Sequence, residues 1–307
     1  MTGVLSGFVV VGLVLAVGYL LARFNTLGDT GSTVLSSFTF SVGLPALIFS
    51  TLATNDVREI FAPTALVSIL GCLAVMLIVV VVGSIRKWGT PKTVIGAMSV
   101  GFVNSTNLGI PLSVYILGSA IYVTPIMLYQ LAILTPVALA ILDITDPTQP
   151  PRTVAYRLTS PFRNPVTVAA IVGVIISATG MPLPTLLLEP IMLIAGATVP
   201  LMLIIFGMSL HGFGTEEKGS DRGPTTVTVI AKSLIQPVLA YVLAAYVFHL
   251  DARSTLVVLC CAALPTGQNV VIYAMRYRVG QSLARSTAII TTVLAIPLLL
   301  VSVALFG

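Results

Sequence analysis

Residues 101–111 read Gly101-Phe102-Val103-Asn104-Ser105-Thr106-Asn107-Leu108-Gly109-Ile110-Pro111 and interrupt an apolar run over about 91–118. Two amides, two hydroxyls, two glycines and a proline stand where a lipid-soluble helix would have none. A buried amide left without a partner in hydrocarbon costs on the order of several kcal/mol. Pro111 removes a backbone donor and disfavours helix at Ile110, and Gly109 lets the chain leave helical geometry cheaply. The device recurs as Ala263-Leu264-Pro265-Thr266-Gly267-Gln268-Asn269-Val270. Non-helical backbone survives at membrane depth only where it lines a cavity or is buried in protein, and paired breaks point to a transporter's binding site.

The rest of the chain justifies treating lipid as the solvent. Of 307 residues, 57% are hydrophobic and only 8% charged, and the mean hydropathy is +1.07. A soluble domain carries roughly a quarter charged residues. At about 20 apolar residues per span the chain can cross a bilayer about ten times. We place spans at about 3–22, 32–53, 62–83, 91–118, 120–142, 164–180, 189–211, 224–249, 252–278 and 281–306. The first run, Gly3 to Ala22, lacks a basic leading segment and reads as a span, not a cleaved signal peptide. Cys72, Cys260 and Cys261 lie inside apolar segments without metal-ligand spacing and read as small packing residues.

Net charge is +5, but its distribution argues for orientation in a membrane and against a nucleic-acid partner. With the N-terminus outside, the cytoplasmic loops hold Arg23, Arg86, Lys87, Lys92, Arg152, Arg157, Arg163, Lys218, Arg222, Arg276, Arg278 and Arg285, which are 12 of the 15 basic residues. The outer loops hold Arg58 and Arg253. This bias predicts both termini outside, and the plasma (inner) membrane is the default location. Lys232 sits about eight residues into its span and is expected to snorkel to the cytoplasmic surface, with attraction of an anion as the other reading.

An internal repeat accounts for the pairing of the breaks. Pro63 and Pro224 are 161 residues apart, as are Pro136 and Pro297. Val103-Asn104-Ser105-Thr106 falls on Leu264-Pro265-Thr266-Gly267 at the same offset, and Val42-Gly43-Leu44-Pro45 maps onto Ala197-Thr198-Val199-Pro200 at 155. Five spans per half is odd, so the second half enters the membrane inverted. The expected fold is all-α, with about ten transmembrane helices in two inverted five-helix repeats. Residues 1–142 form the first, 143–163 a cytoplasmic connection and 164–307 the second. Pro45, Pro136, Pro200 and Pro297 are expected to kink their spans, while His211 and His249 read as interfacial residues.

The chemistry expected at the breaks is anion binding. Half-helix N-termini carry positive partial charge. With the amides of Asn104, Asn107, Gln268 and Asn269, they could hold a carboxylate without a fixed cation. Ser105, Thr106, Gly109, Pro265, Thr266 and Gly267 complete the candidate substrate-binding set, with Pro111 and Pro265 as helix breaks. The bland alternative is that these amides only join helices. All ten Asp and Glu residues fall at or near span ends, so the midplane carboxylate usual in proton and cation exchangers is missing. The chain has no GxxxxGK[ST] run and no zinc or magnesium motif. We expect no enzyme activity, catalytic residue, cofactor or metal.

The stretch Asn104-Ser105-Thr106-Asn107-Leu108-Gly109-Ile110-Pro111-Leu112 resembles the fourth-helix signature of the auxin efflux carrier family, which includes bacterial malate-permease-like carriers. Ala263 to Tyr277 resembles its ninth-helix signature, best at Pro265, Gly267, Ala274 and Tyr277. The resemblance implies a fold like the bile-acid sodium symporters, with discontinuous fourth and ninth helices crossing beside the substrate. It also implies a homodimer, elevator-type alternating access and movement of organic anions, with Asn104 as first substrate ligand. Val103 stands where plant members have a proline, so a less sharp first crossing is expected. Gln268 and Asn269 replace the acidic residue with which the bile-acid relatives bind sodium. Three readings follow: a carrier of small organic anions, a sodium-coupled bile-acid-type symporter, and a membrane sensor or embedded enzyme.

Overall fold

The structure is a computed structural model that describes residues 2–56, 62–145, 159, 162, 164–211 and 221–307, with side chains from residue 9 onward. Arg58, Arg152, Arg157, Arg163, Lys218 and most of the expected 143–163 connection lie outside the described residues. The described elements are helices, joined by one isolated antiparallel bridge. They are α1 (Thr2–Arg23), α2 (Gly31–Thr54), α3 (Pro63–Ile85) and α4 (Thr90–Gly101), a helical stretch over 105–117 that we call α5, and α6 (Thr124–Thr145). There follow α7 (Pro165–Thr179), α8 (Thr185–His211), α9 (Arg222–Val247), α10 (Ala252–Ala263), α11 (Gln268–Tyr277) and α12 (Gln281–Phe306). Six of these, α2, α3, α6, α8, α9 and α12, are long and apolar enough to cross a membrane. Large apolar side chains such as Leu186, Leu193, Val293 and Leu305 stand exposed on them, as a lipid-facing surface requires.

Two of the prolines expected to kink their spans, Pro45 and Pro136, follow π turns. Four of the six described π turns, Thr39–Gly43, Ser105–Gly109, Gln130–Leu134 and Ala231–Ile235, each end two residues before a proline: Pro45, Pro111, Pro136 and Pro237. Proline has no N–H to close the preceding turn and its ring crowds the carbonyl four residues back, so that turn widens. Pro200 and Pro297 lie inside α8 and α12.

The helices gather into two compact units, each drawing on both halves of the sequence. One comprises residues 1–62, 106–128 and 159–215. Within it α1 packs on α8 so closely that a Cβ at Gly18 would collide with the Ile204 carbonyl, and one at Gly207 with the Leu15 carbonyl. Small residues at such contacts let helix backbones approach in lipid, where no hydrophobic force drives association. The Tyr19 ring meets His211 edge-on at 5.4 Å at the end of this pair. α7 packs on α2, where the Ser177 hydroxyl donates to Asn55 O at 2.8 Å.

The other unit comprises residues 63–105, 129–158 and 216–307. Its main core joins Ile95, Met98 and Phe102 of α4 and its end to Leu134, Ala138 and Leu142 of α6 and Val270, Ala274 and Tyr277 of α11. Tyr277 also donates its hydroxyl to the buried Asp143 carboxylate, fixing the end of α11 to the end of α6. Lys92, at the start of α4, pairs with Asp221 at 2.8 Å beside the start of α9. The three cysteines are buried thiols outside any disulfide among the described residues, all in this unit. Lys232 corrects the expectation from sequence. It is 2% exposed and points into the unit instead of snorkelling, because Gln236 and a carbonyl of α10 receive its ammonium there.

The α1–α8 contact is testable. Gly207→Val adds atoms where the backbone of α1 already stands, and overpacking of this kind costs about 1–3 kcal/mol. Thermal unfolding of the purified variant should begin several degrees below wild type. An unchanged transition would show that the two helices do not approach this closely.

Candidate substrate site at the helix crossing

Two helices stop in mid-unit. α4 ends at Gly101 and α10 at Ala263, each after 12 residues. Beyond them Phe102, Leu264 and Gly267 adopt extended backbone, with ψ of 94°, 138° and 138°. Each stop leaves backbone groups that its own helix cannot satisfy. The two extended segments satisfy each other. Asn104 N–H donates to Pro265 O at 2.8 Å and Gly267 N–H donates to Phe102 O at 2.7 Å, which makes Val103 and Thr266 an antiparallel bridge. Gly267 must be glycine because a Cβ there would lie 2.8 Å from Phe102 Cδ1 and 3.2 Å from Val103 O.

Side chains complete the pairing on the outer edges of this bridge. Gln130, 1% exposed, accepts from Val103 N–H at 2.8 Å through its amide oxygen. Its amide nitrogen donates to Val103 O at 3.2 Å and to Ser105 Oγ at 3.0 Å. In this orientation every contact joins a donor to an acceptor, and the amide stands in for a neighbouring strand. On the other segment, Thr266 N–H donates to Thr291 Oγ1 at 3.1 Å, and Thr266 Oγ1 donates to Ser99 O at 2.5 Å. Thr291 Oγ1 donates in turn to Thr287 O at 2.7 Å.

Of the residues expected at the site, the structure brings together Asn104, Ser105, Pro265, Thr266 and Gly267 at the crossing, the first two and Thr266 being buried. α11 begins immediately after, with Gly267 as an N-cap whose lack of a side chain leaves its first turn without a side-chain cap. Gln268 opens α11 half-buried and Asn269 is exposed. Thr106, Asn107, Gly109 and Pro111 belong to the other compact unit, because the chain passes from one unit to the other after Ser105. There Thr106 and Asn107 are half-buried and Gly109 and Pro111 buried, inside the helical stretch that resumes after the break. Pro111 is therefore not the helix break expected from sequence, because the π turn Ser105–Gly109 before it accommodates the missing donor within a continuing helix.

Gln130 and Thr291 escaped the reading from sequence. A signal was present, since they are 161 residues apart, the spacing of Pro136 and Pro297, and each precedes its proline by six positions. Polar side chains at matched positions in apolar runs face something polar inside. Gln130→Leu would leave Val103 N–H without this acceptor, while Val103 O keeps the Ser105 N–H, at a cost of about 1–3 kcal/mol for the buried donor. Hydrogen exchange of the 102–105 segment should quicken in that variant while the α1–α8 contact keeps its protection; equal protection of 102–105 in both proteins would remove Gln130 from this role.

Curated proteins provide no match to the chain. A family model described as "Membrane transport protein" matches residues 4–303, nearly the whole length. This agrees with the resemblance drawn from the fourth and ninth spans, and with helices apolar enough to cross a bilayer. The chain therefore belongs to the membrane transport protein family, that of the auxin efflux carriers, and is a multi-pass membrane transporter rather than an enzyme.

Proposed function

We propose that this transporter is a secondary active carrier of small organic anions such as carboxylates, working by elevator-type alternating access. The observation that carries the proposal is the crossing itself. Buried polar groups of Asn104, Ser105 and Thr266 meet there, next to the N-terminus of the ten-residue helix α11. A helix N-terminus offers N–H groups and positive partial charge, which suit an anion and disfavour a cation. The described carboxylates of the same unit, Asp143, Asp221 and Asp251, lie at helix ends and leave the crossing without negative side-chain charge.

In this reading residues 1–142 and 164–307 are inverted five-helix repeats. Supporting it are the equal lengths of α4 and α10, their matched stops and the matched edge residues Gln130 and Thr291. The unit that holds the crossing is the moving body. Asn104, Ser105, Pro265, Thr266 and Gly267 form the substrate site, with Gln268 and Asn269 at the start of α11. The excess of basic residues in alternate loops supports both termini outside in the plasma membrane, and the family resemblance supports a homodimer.

Substrate-induced thermal stabilisation tests the proposal, using malate, malonate, succinate, citrate, indole-3-acetate and taurocholate with and without sodium. A ligand at about 100 times its Kd stabilises by roughly 2.7 kcal/mol. We expect a sodium-independent shift with at least one carboxylate, lost in Asn104→Ala with the unliganded stability little changed. A shift that requires sodium would favour a bile-acid-type symporter, and no shift with any of the six would count against an organic-anion carrier.

A further inference from the structure

Lys232 is the bulkiest of the fully buried side chains among the described residues. It lies in the π turn Ala231–Ile235 of α9. Its Nζ donates to Gln236 Oε1 at 2.7 Å and to Ala262 O at 3.3 Å, and Gln236 Nε2 points to Cys72 Sγ at 3.1 Å. The ionisable groups that face it are thiols, Cys72 from α3 and Cys261 from α10. α4 and α12 also pack on this turn, and each carries one ionisable residue. Lys92 of α4 is held by Asp221, and Arg285 of α12 lines a separate cavity with Val271 and Met275 of α11. The three described carboxylates of the unit are engaged or remote: Asp143 by Tyr277, Asp221 by Lys92, and Asp251 exposed at the start of α10.

The ammonium thus sits inside the unit with neutral acceptors and no carboxylate among the described residues. Burying an ion without a counter-charge is strongly unfavourable. Ionisable residues inside membranes are rare and mark substrate and ion pathways. The acceptor Ala262 is the penultimate residue of α10, the helix that ends at the crossing, four positions before Thr266. A helix C-terminus carries negative partial charge that repels an anion brought to it. α11 presents its positive N-terminus on the far side of the same break.

We infer that Lys232 is the charge-selecting residue of the transporter: its ammonium offsets the negative end of α10, and the transported carboxylate is its missing counter-charge. This rests on the proposed organic-anion function and adds to it the residue that distinguishes an acid from its neutral analogue. Lys232 acts from behind the crossing, through the field at the end of α10. A unit charge acting across roughly 10 Å at an effective dielectric near 20 changes the affinity for a carboxylate on the order of tenfold.

Two acid–amide pairs provide the test, indole-3-acetate against indole-3-acetamide and succinate against succinamide, titrated by thermal shift on the full-length purified protein. Wild type should prefer at least one acid over its amide. Lys232→Gln keeps amide donors for Gln236 and Ala262 O but removes the charge, and should weaken the acid about tenfold while leaving the amide unchanged. Lys232→Arg should restore the preference. Equal loss of acid and amide in Lys232→Gln would mean a structural role only and overturn the inference, as would undiminished binding of the acid. Should Lys232→Gln fail to fold, the wild-type ratio and Lys232→Arg still decide, because equal wild-type affinity for acid and amide contradicts the inference. A wild type that responds to none of the six anions tested above removes the proposed function together with this inference, whereas a response to an acid that the substitution leaves unaltered removes the inference alone.

Discussion

A polypeptide in hydrocarbon must satisfy its own backbone, since no water is present to take up unused N–H and C=O groups. This chain breaks two helices in one compact unit and so creates the groups that lipid cannot tolerate. The antiparallel contact of Val103 with Thr266 is the response, and the surrounding arrangement depends on it. Gly267 is required because the contact brings Phe102 against it, Gln130 and Thr291 because the bridge has outer edges, and Ser99 O gains the Thr266 hydroxyl as an extra donor. A cluster of buried polar groups is in this sense a by-product of satisfying the backbone without helix.

The π turns connect proline to polarity. Ser105–Gly109, Gln130–Leu134 and Ala231–Ile235 precede Pro111, Pro136 and Pro237, and they carry Ser105, Gln130 and Lys232, three of the buried polar side chains of the crossing unit. A widened turn shifts the helical register, so a residue before the proline can face inward although the lipid-facing pattern continues after it. Buried polarity and helix distortion therefore coincide in these spans at the missing donor of a proline. In the other unit, Gly18 and Gly207 let the backbones of α1 and α8 approach closely.

Much of this was legible in the sequence because it follows from local chemistry. Length of apolar run located the six helices long enough to cross a membrane, and Asn104 and Leu264 to Gly267 marked the breaks, whereas Ser105 to Pro111 fold as helix. What depends on tertiary partners was not. The burial of Lys232 rests on Gln236 and a carbonyl of α10, thirty positions away, so snorkelling was the natural expectation for an isolated helix. Gln130 and Thr291 pair with backbone of other helices and gave only their spacing as a sign. Asn104 to Asn107 reads as one motif, yet the chain changes compact unit between Ser105 and Thr106, a division set by packing and invisible in composition.

The backbone crossing is tested most directly by a covalent link. Val103 and Thr266 are the narrow, non-hydrogen-bonded kind of antiparallel pair, since the bonds run between their neighbours. Such pairs have Cα atoms about 4.5 Å apart, within the range that a disulfide bridges. The double variant Val103→Cys with Thr266→Cys, oxidised gently in membranes and mapped by mass spectrometry, should yield the 103–266 disulfide in most molecules. Folded protein in which both new thiols stay reduced would contradict the crossing, and with it the site built upon it.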